Sequence, residues 1–181
     1  MRSLYWKVTL AAVLAATMCL TAKAQNLGGC SDATLQGDYA FTVSGQIFLP
    51  TGLVVQRQGI ALTHFDGHGN LMQEDLVLSS PNAPPAPGVA PMNAEGFNIN
   101  EAGTYTVNAD CTGTFTINMP NLTTTAGGSV KGAVIKVHFV LSNFGRSVHT
   151  VVTSLTPPGA PGPVPALISS EGHKVHPIEE D

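Results

Sequence analysis

Charged side chains are scarce in this chain. Asp, Glu, Lys and Arg make up 11% of its 181 residues, against about 25% in an ordinary soluble domain. Lys and Glu, which populate the outer faces of helices, are few, and this turns the composition away from helix. Basic residues are outnumbered by acidic ones, which excludes the positive surface that nucleic acid or anionic lipid requires. Cysteine is limited to Cys19, Cys30 and Cys111 with no Cys-x-x-Cys spacing, so neither a zinc knuckle nor a dithiol redox motif is encoded. Gly-x-Ser-x-Gly, His-Glu-x-x-His and a phosphate-binding Gly loop are all missing. No enzymatic activity and no cofactor are therefore expected.

Long apolar runs are missing too, except at the start. Arg2 and Lys7 make a short basic lead, Val8 to Leu20 is almost wholly apolar, and Ala22-Lys23-Ala24 puts small residues where a signal peptidase reads. This is the three-part order of a secretory signal, and it falls short of the roughly 20 apolar residues of a membrane anchor. Removal of residues 1–24 is expected, with export to the periplasm or the extracellular medium and no membrane span afterwards. Cys19 offers lipid anchoring as an alternative, which the preceding Ala16-Thr17-Met18 fits poorly. Cleavage takes away Arg2, Lys7 and Lys23 but no acid, leaving five basic against twelve acidic residues, a net charge of −7.

Cys30 and Cys111 remain in the mature chain. In an oxidising compartment they have only each other as a partner within the chain, so a disulfide is expected, with two separate thiols as the alternative. The remaining length suits one domain, taken as residues 25–170. A Pro/Ala/Gly-rich loop at 80–96 interrupts it, since Pro has no amide to donate to a ladder. A charged, frayed tail is expected over 171–181.

What the chain does contain is strand grammar. Tyr39, Phe41 and Val43 alternate with Ala40, Thr42 and Ser44 inside Gly37–Gly45, a period of two. Leu53–Phe65 and Asn70–Ser79 follow, joined by the turn Asp66-Gly67-His68-Gly69-Asn70, where Gly supplies the positive φ of a tight hairpin. Gly103-Thr104-Tyr105-Thr106-Val107 is echoed ten residues later by Gly113-Thr114-Phe115-Thr116-Ile117. This reads as a hairpin with Tyr105, Val107, Phe115 and Ile117 facing the core. Asn118–Ser129 reads as loop. Lys131–Ser142 and Ser147–Leu155 form another hairpin, with Ile135, Val137, Phe139 and Leu141 on the same face as Val148, Thr150 and Val152. A Pro/Gly-rich stretch and a short strand at Val164–Ser169 complete seven or eight strands. An all-β, up-and-down antiparallel meander of this kind closes most readily as a small barrel, calycin-like, with a two-sheet sandwich as the alternative.

Three phrases carry a resemblance. They are Cys30-Ser31 with Leu35-x-Gly37-x-Tyr39-x-Phe41, then Phe65-Asp66-Gly67-x-Gly69-Asn70, then Gly103-Thr-Tyr-Thr-Val-Asn-x-Asp-Cys-Thr-Gly113. In this order, over about residues 30–155, the chain resembles a group of uncharacterised exported bacterial β-proteins. The resemblance implies a secreted barrel-like domain with a disulfide between the first and third phrases. It carries no activity and no functional residues.

Candidate chemistry is thin. Asp66-x-His68-x-Asn70 has the opening rhythm of a calcium loop, but the twelfth position is Val77 where a bidentate Glu is needed, so it is read as a turn. His138 and His149 become diagonal neighbours on one strand face and are weak metal candidates, with no third ligand fixed; a solvated face is the plainer reading. His173-x-x-His176 falls in the expected tail. Glu74 and Asp75 are adjacent, so they point to opposite faces of a strand and cannot pair locally. Two functions remain: a binding module holding a small apolar ligand in the barrel, or a structural, surface-associated protein acting by contact with an envelope protein or polymer.

Overall fold

The structure, a computed structural model, describes residues 29–80, 96–124 and 126–175. The expected signal segment, most of the Pro-rich loop and the last residues of the expected tail lie outside these. Among the described residues there are ten strands: β1 (Gln36–Phe48), β2 (Val54–Asp66), β3 (Asn70–Ser80), β4 (Asn98–Val107), β5 (Thr112–Asn118), β6 (Leu122–Thr123), β7 (Ser129–Val130), β8 (Val134–Ser142), β9 (Ser147–Thr156) and β10 (Ala166–Lys174).

Eight of them form one closed antiparallel barrel. Its order is β1-β2-β3-β4-β5-β8-β9-β10, and β10 returns to pair with β1 from Tyr39↔Lys174 to Ile47↔Ala166. That last pairing removes both sheet edges and decides for a barrel against a sandwich. The barrel itself has eight strands. β6 and β7 form a separate two-residue ladder, Leu122↔Val130 and Thr123↔Ser129, within a stretch expected to be loop.

Alternation places one face of each strand inside. Tyr39, Phe41, Phe65, Leu71, Tyr105, Val107, Phe115, Ile117, Val137, Phe139, Leu141 and Val148 form the main core, as the period of two requires. Burying a side chain of this size stabilises by roughly 1.5–3 kcal/mol. Ring geometry fills the space: Phe65 packs edge-on against Tyr39 and Tyr105, with centroids 5.5 and 5.1 Å away. Glycine makes room at two inward positions. A Cβ at Gly113 would overlap the Phe139 ring, and one at Gly172 would overlap the Phe41 ring.

One end of the barrel is plugged by the chain that leads into β1. A 3-10 turn at Asp32–Thr34 carries Leu35, which is wholly buried. Tyr105 Oη donates to Leu35 O at 2.8 Å and Val107 N donates to Asp32 Oδ1 at 2.6 Å. Tyr39 Oη donates to the carbonyl of Gly145, and burial pushes this phenol up to about 12. Cys30 and Cys111 are joined by a disulfide, with Cα atoms 4.9 Å apart, so the plug is covalently tied to the β4–β5 turn. Such a bond belongs to proteins of oxidising compartments. Among the described residues no helix is long and apolar enough to cross a membrane.

The expected tail boundary needs correction. Glu171 to Lys174 are barrel residues, because β10 continues to Lys174. Glu171 and His173 are exposed while Gly172 is buried beside Phe41. Their charges therefore mark the outer face of a strand and not a frayed end. β4 likewise begins at Asn98, five residues before the expected start.

The disulfide closes a separation of 81 residues, for which loop entropy allows at most about 4–5 kcal/mol. The double variant Cys30→Ser/Cys111→Ser is expected to lose a large part of this in urea unfolding. An unchanged midpoint would mean that the plug holds itself in place without the bond.

Candidate functional site

The barrel interior is not uniformly apolar. Arg57 on β2, Gln73, Asp75 and Ser79 on β3, and Glu101 on β4 all occupy inward positions of the alternation, in phase with core residues Val55, Leu71 and Tyr105. β3 and β4 are neighbours, with Gln73 opposite Glu101 and Asp75 opposite Asn98 across a register shift. The shift brings Asp75 and Glu101 to the same side of the ladder, although 26 residues separate them in the chain.

The hydrogen bonds form a chain. Thr63 Oγ1 donates to Gln73 Oε1 at 2.8 Å, which turns the amide so that Gln73 Nε2 donates to Glu101 Oε2, also at 2.8 Å. Asn98 Nδ2 donates to Asp75 Oδ1 at 2.7 Å. Arg57 Nη1 donates to Ser79 Oγ. Glu101 is fully buried, and its Oε1 has no hydrogen-bond partner within normal reach. The remaining interaction of this carboxyl is a looser one with Asp75. Leaving such an atom buried and unmatched costs about 1–3 kcal/mol.

Beside this chain lies a cavity of about 90 Å³. Phe41, Phe115, Ile117, Val137 and Val152 make its apolar wall, and Arg57, Gln73, Asp75, Thr150 and Ser170 its polar one. Thr150 Oγ1 and Ser170 Oγ are hydrogen-bonded at 2.6 Å. A small cluster of Ile47, Val55 and Leu155 packs beyond it, away from the disulfide. The volume admits about half a dozen water-sized groups, well short of the pocket for a drug-sized ligand.

Burial dominates the electrostatics. The Glu101 carboxyl is pushed up to about 8, first by burial and then by the negative charge of Asp75. Asp75 is also raised by burial, against the opposing pull of Asn98 and Arg57. Burial lowers Arg57, and Asp75 partly offsets this. Burial and the neighbouring Asp75 thus favour the protonated form of Glu101 at neutral pH. Interior charges reduce stability relative to an apolar filling, and groups perturbed in this way gather at functional sites.

The residues singled out from sequence fall elsewhere. His138 pairs with Val151 and His149 with Val140, so the two histidines are diagonal neighbours on the outer face, as expected. His149 Nε2 lies 3.1 Å from Ser142 Oγ, and Glu171 sits between His149 (3.8 Å) and His173 (3.4 Å). His149, Glu171 and His173 are about half exposed or more. Among the described residues no group of three or more His, Cys, Asp or Glu is arranged to hold a metal ion. Asp66 makes the expected turn: its carboxylate accepts from His68 N at 2.7 Å, Asn70 N at 3.0 Å and Asn70 Nδ2 at 2.7 Å. The Asn70 bonds first, then the His68 amide, hold it down to about 2. Glu74 and Asp75 do face opposite ways, but Asp75 meets a different carboxyl, Glu101. The signal for this lay in the alternation itself, since Gln73 and Asp75 share the phase of Leu71 and Val77.

No family model, no curated protein and no solved structure matches the chain.

Glu101 gives the fold a pH dependence of definite sign. An unfolded Glu titrates near 4.3, so the folded state binds this proton more tightly. The stabilisation is complete below that value and is lost as pH rises through about 8. Urea midpoints of the native chain are expected to fall across this window, and those of Glu101→Gln, which cannot ionise, to fall less. Parallel curves for the two proteins would remove Glu101 as the source.

Proposed function

We propose that the chain is an exported binding module that holds a small ligand inside its barrel. The observation that carries this is the cavity with one apolar and one charged wall. The opposite end of the same barrel is packed solid with aromatic rings. A protein that needed only to fold would be more stable with that space filled by hydrocarbon. The ligand is accordingly compact, with an apolar body against Phe41, Phe115 and Val152 and a polar group towards Asp75 and Arg57. This amends the purely apolar ligand expected from the strand pattern. The signal grammar of residues 1–24 and the disulfide support export to the periplasm or medium.

An outer-face feature favours a second reading. Ile60, Leu62, Met72 and Leu78 are all about half exposed or more, and they are diagonal neighbours across β2 and β3, where Leu62 lies opposite Glu74, His64 opposite Met72 and Gln58 opposite Leu78. An apolar strip of this kind suits contact with an envelope protein or polymer.

Native mass spectrometry separates the two. The protein purified gently from its own source is expected to carry a mass excess over the disulfide-bonded polypeptide. In Ala61→Leu, which pushes a larger side chain into the cavity, the excess is expected to vanish while the thermal midpoint holds. A bare polypeptide mass in the native protein would favour the contact reading instead.

A further inference from the structure

The charges in and directly behind the cavity are uneven. One carboxyl, Asp75, and one guanidinium, Arg57, line it, and a second carboxyl, Glu101, stands behind Asp75 outside the lining. No other Lys or Arg lines the space. Among the described residues neither carboxyl forms an ion pair within 4.0 Å, since the pairs present at that distance all involve histidines on the outer face. Arg57 is instead turned to Ser79 Oγ and balances the charge of Asp75 only from a distance. The second carboxyl has no cation of its own. It remains neutral by keeping a proton, and one of its oxygens is fully buried without a hydrogen bond.

Resting on the ligand-binding reading above, we infer that the cavity takes a small organic ammonium ion, whose positive charge replaces the proton held by the Asp75–Glu101 pair. Asp75 lines the cavity and meets the ammonium group. Glu101 stands behind it and responds through it. On binding, the Glu101 O–H bond breaks and its proton leaves to solvent, while the ligand keeps its own three N–H bonds. The site then holds two carboxylates, one guanidinium and one ammonium, so the charge balance of the interior is the same before and after. The ammonium donors go to the Asp75 carboxylate, and the hydrocarbon part lies along Phe41, Phe115 and Val152. The volume limits that part to about five carbons. An anionic ligand has the opposite relation to the site: it gains from Arg57 alone, is repelled by Asp75, and drives proton uptake.

The direction of the proton exchange distinguishes these cases. Pentylamine, 1-pentanol and pentanoate are matched in length and differ in charge. Their binding to the full native chain is to be measured by calorimetry from pH 6 to pH 8.5, in two buffers of different ionisation heat. Pentylamine is expected to bind about tenfold more tightly than pentanol at pH 8, the equivalent of one pKa unit. Its affinity should rise with pH, and binding should release protons. In Glu101→Gln the proton release disappears and the pH profile flattens, with the preference for the amine retained through Asp75. In Asp75→Asn that preference is lost. Circular dichroism checks that each variant is folded, and the native pH profile remains a sufficient test if either is not. Pentanol binding as tightly as pentylamine would overturn the inference and leave the cavity reading standing. So would pentanoate binding tightest, or amine binding with no proton released. Failure of all three probes to bind would remove both.

Discussion

The pairing of β1 with β10 is the contact on which everything else depends. It turns a ribbon of eight strands into a ring, so that no strand keeps a free edge. It also creates an inside. Arg57, Asp75 and Glu101 sit in low-dielectric surroundings only because the far strands, β8, β9 and β10, stand across from them and exclude bulk water. On an open sheet the same three residues would be ordinary solvated charges with ordinary titration. The unusual proton affinity of Glu101 is thus a property of closure.

Within that ring the two ends do different things. Towards the disulfide, rings and aliphatic side chains meet at close-packed distances, and the entering chain seals the end with Leu35 and with hydrogen bonds that Tyr105 and Val107 donate to Asp32 and Leu35. Towards the other end, polar side chains face an unfilled space and the remaining apolar cluster is small. Stability is concentrated where the barrel is full, which leaves the hollow half free to carry groups that destabilise it. This division is common in proteins that hold a site on a rigid scaffold.

Much of the scaffold was legible in the residues. The alternation of Tyr39, Phe41 and Val43, the echo of Gly103–Val107 in Gly113–Ile117, and the turn at Asp66–Asn70 each specify a local pattern that tertiary contacts reinforce. The β8–β9 register followed from the length of its turn as far as Val137↔Val152, beyond which the ladder shifts by one residue. The site was much less legible. Asp75 and Glu101 lie on strands joined by a long Pro-rich connection, not a tight turn, so no local rule sets their alignment, and the register shift between Gln73 and Asp75 changes it again. Their adjacency is a long-range fact. Glu171 to Lys174 are hard to read for a related reason: their charge fits a solvated end equally well, while in a barrel every second residue of a strand is solvated in any case. The Asp66 turn shows the opposite behaviour, its carboxylate being satisfied entirely by the next four residues.

The placement of β10 has a consequence for how such a chain comes into being. Its partner β1 lies near the other end of the sequence, with Tyr39 aligned to Lys174. Made from the amino terminus onward, the first seven barrel strands exist for a time as a curled sheet with two bare edges. The link from Cys30 to Cys111 needs only the first two thirds of the chain and can form during that interval. The last nine residues of the barrel act as a keystone, and until they are laid in place the polar interior is still part of the outside.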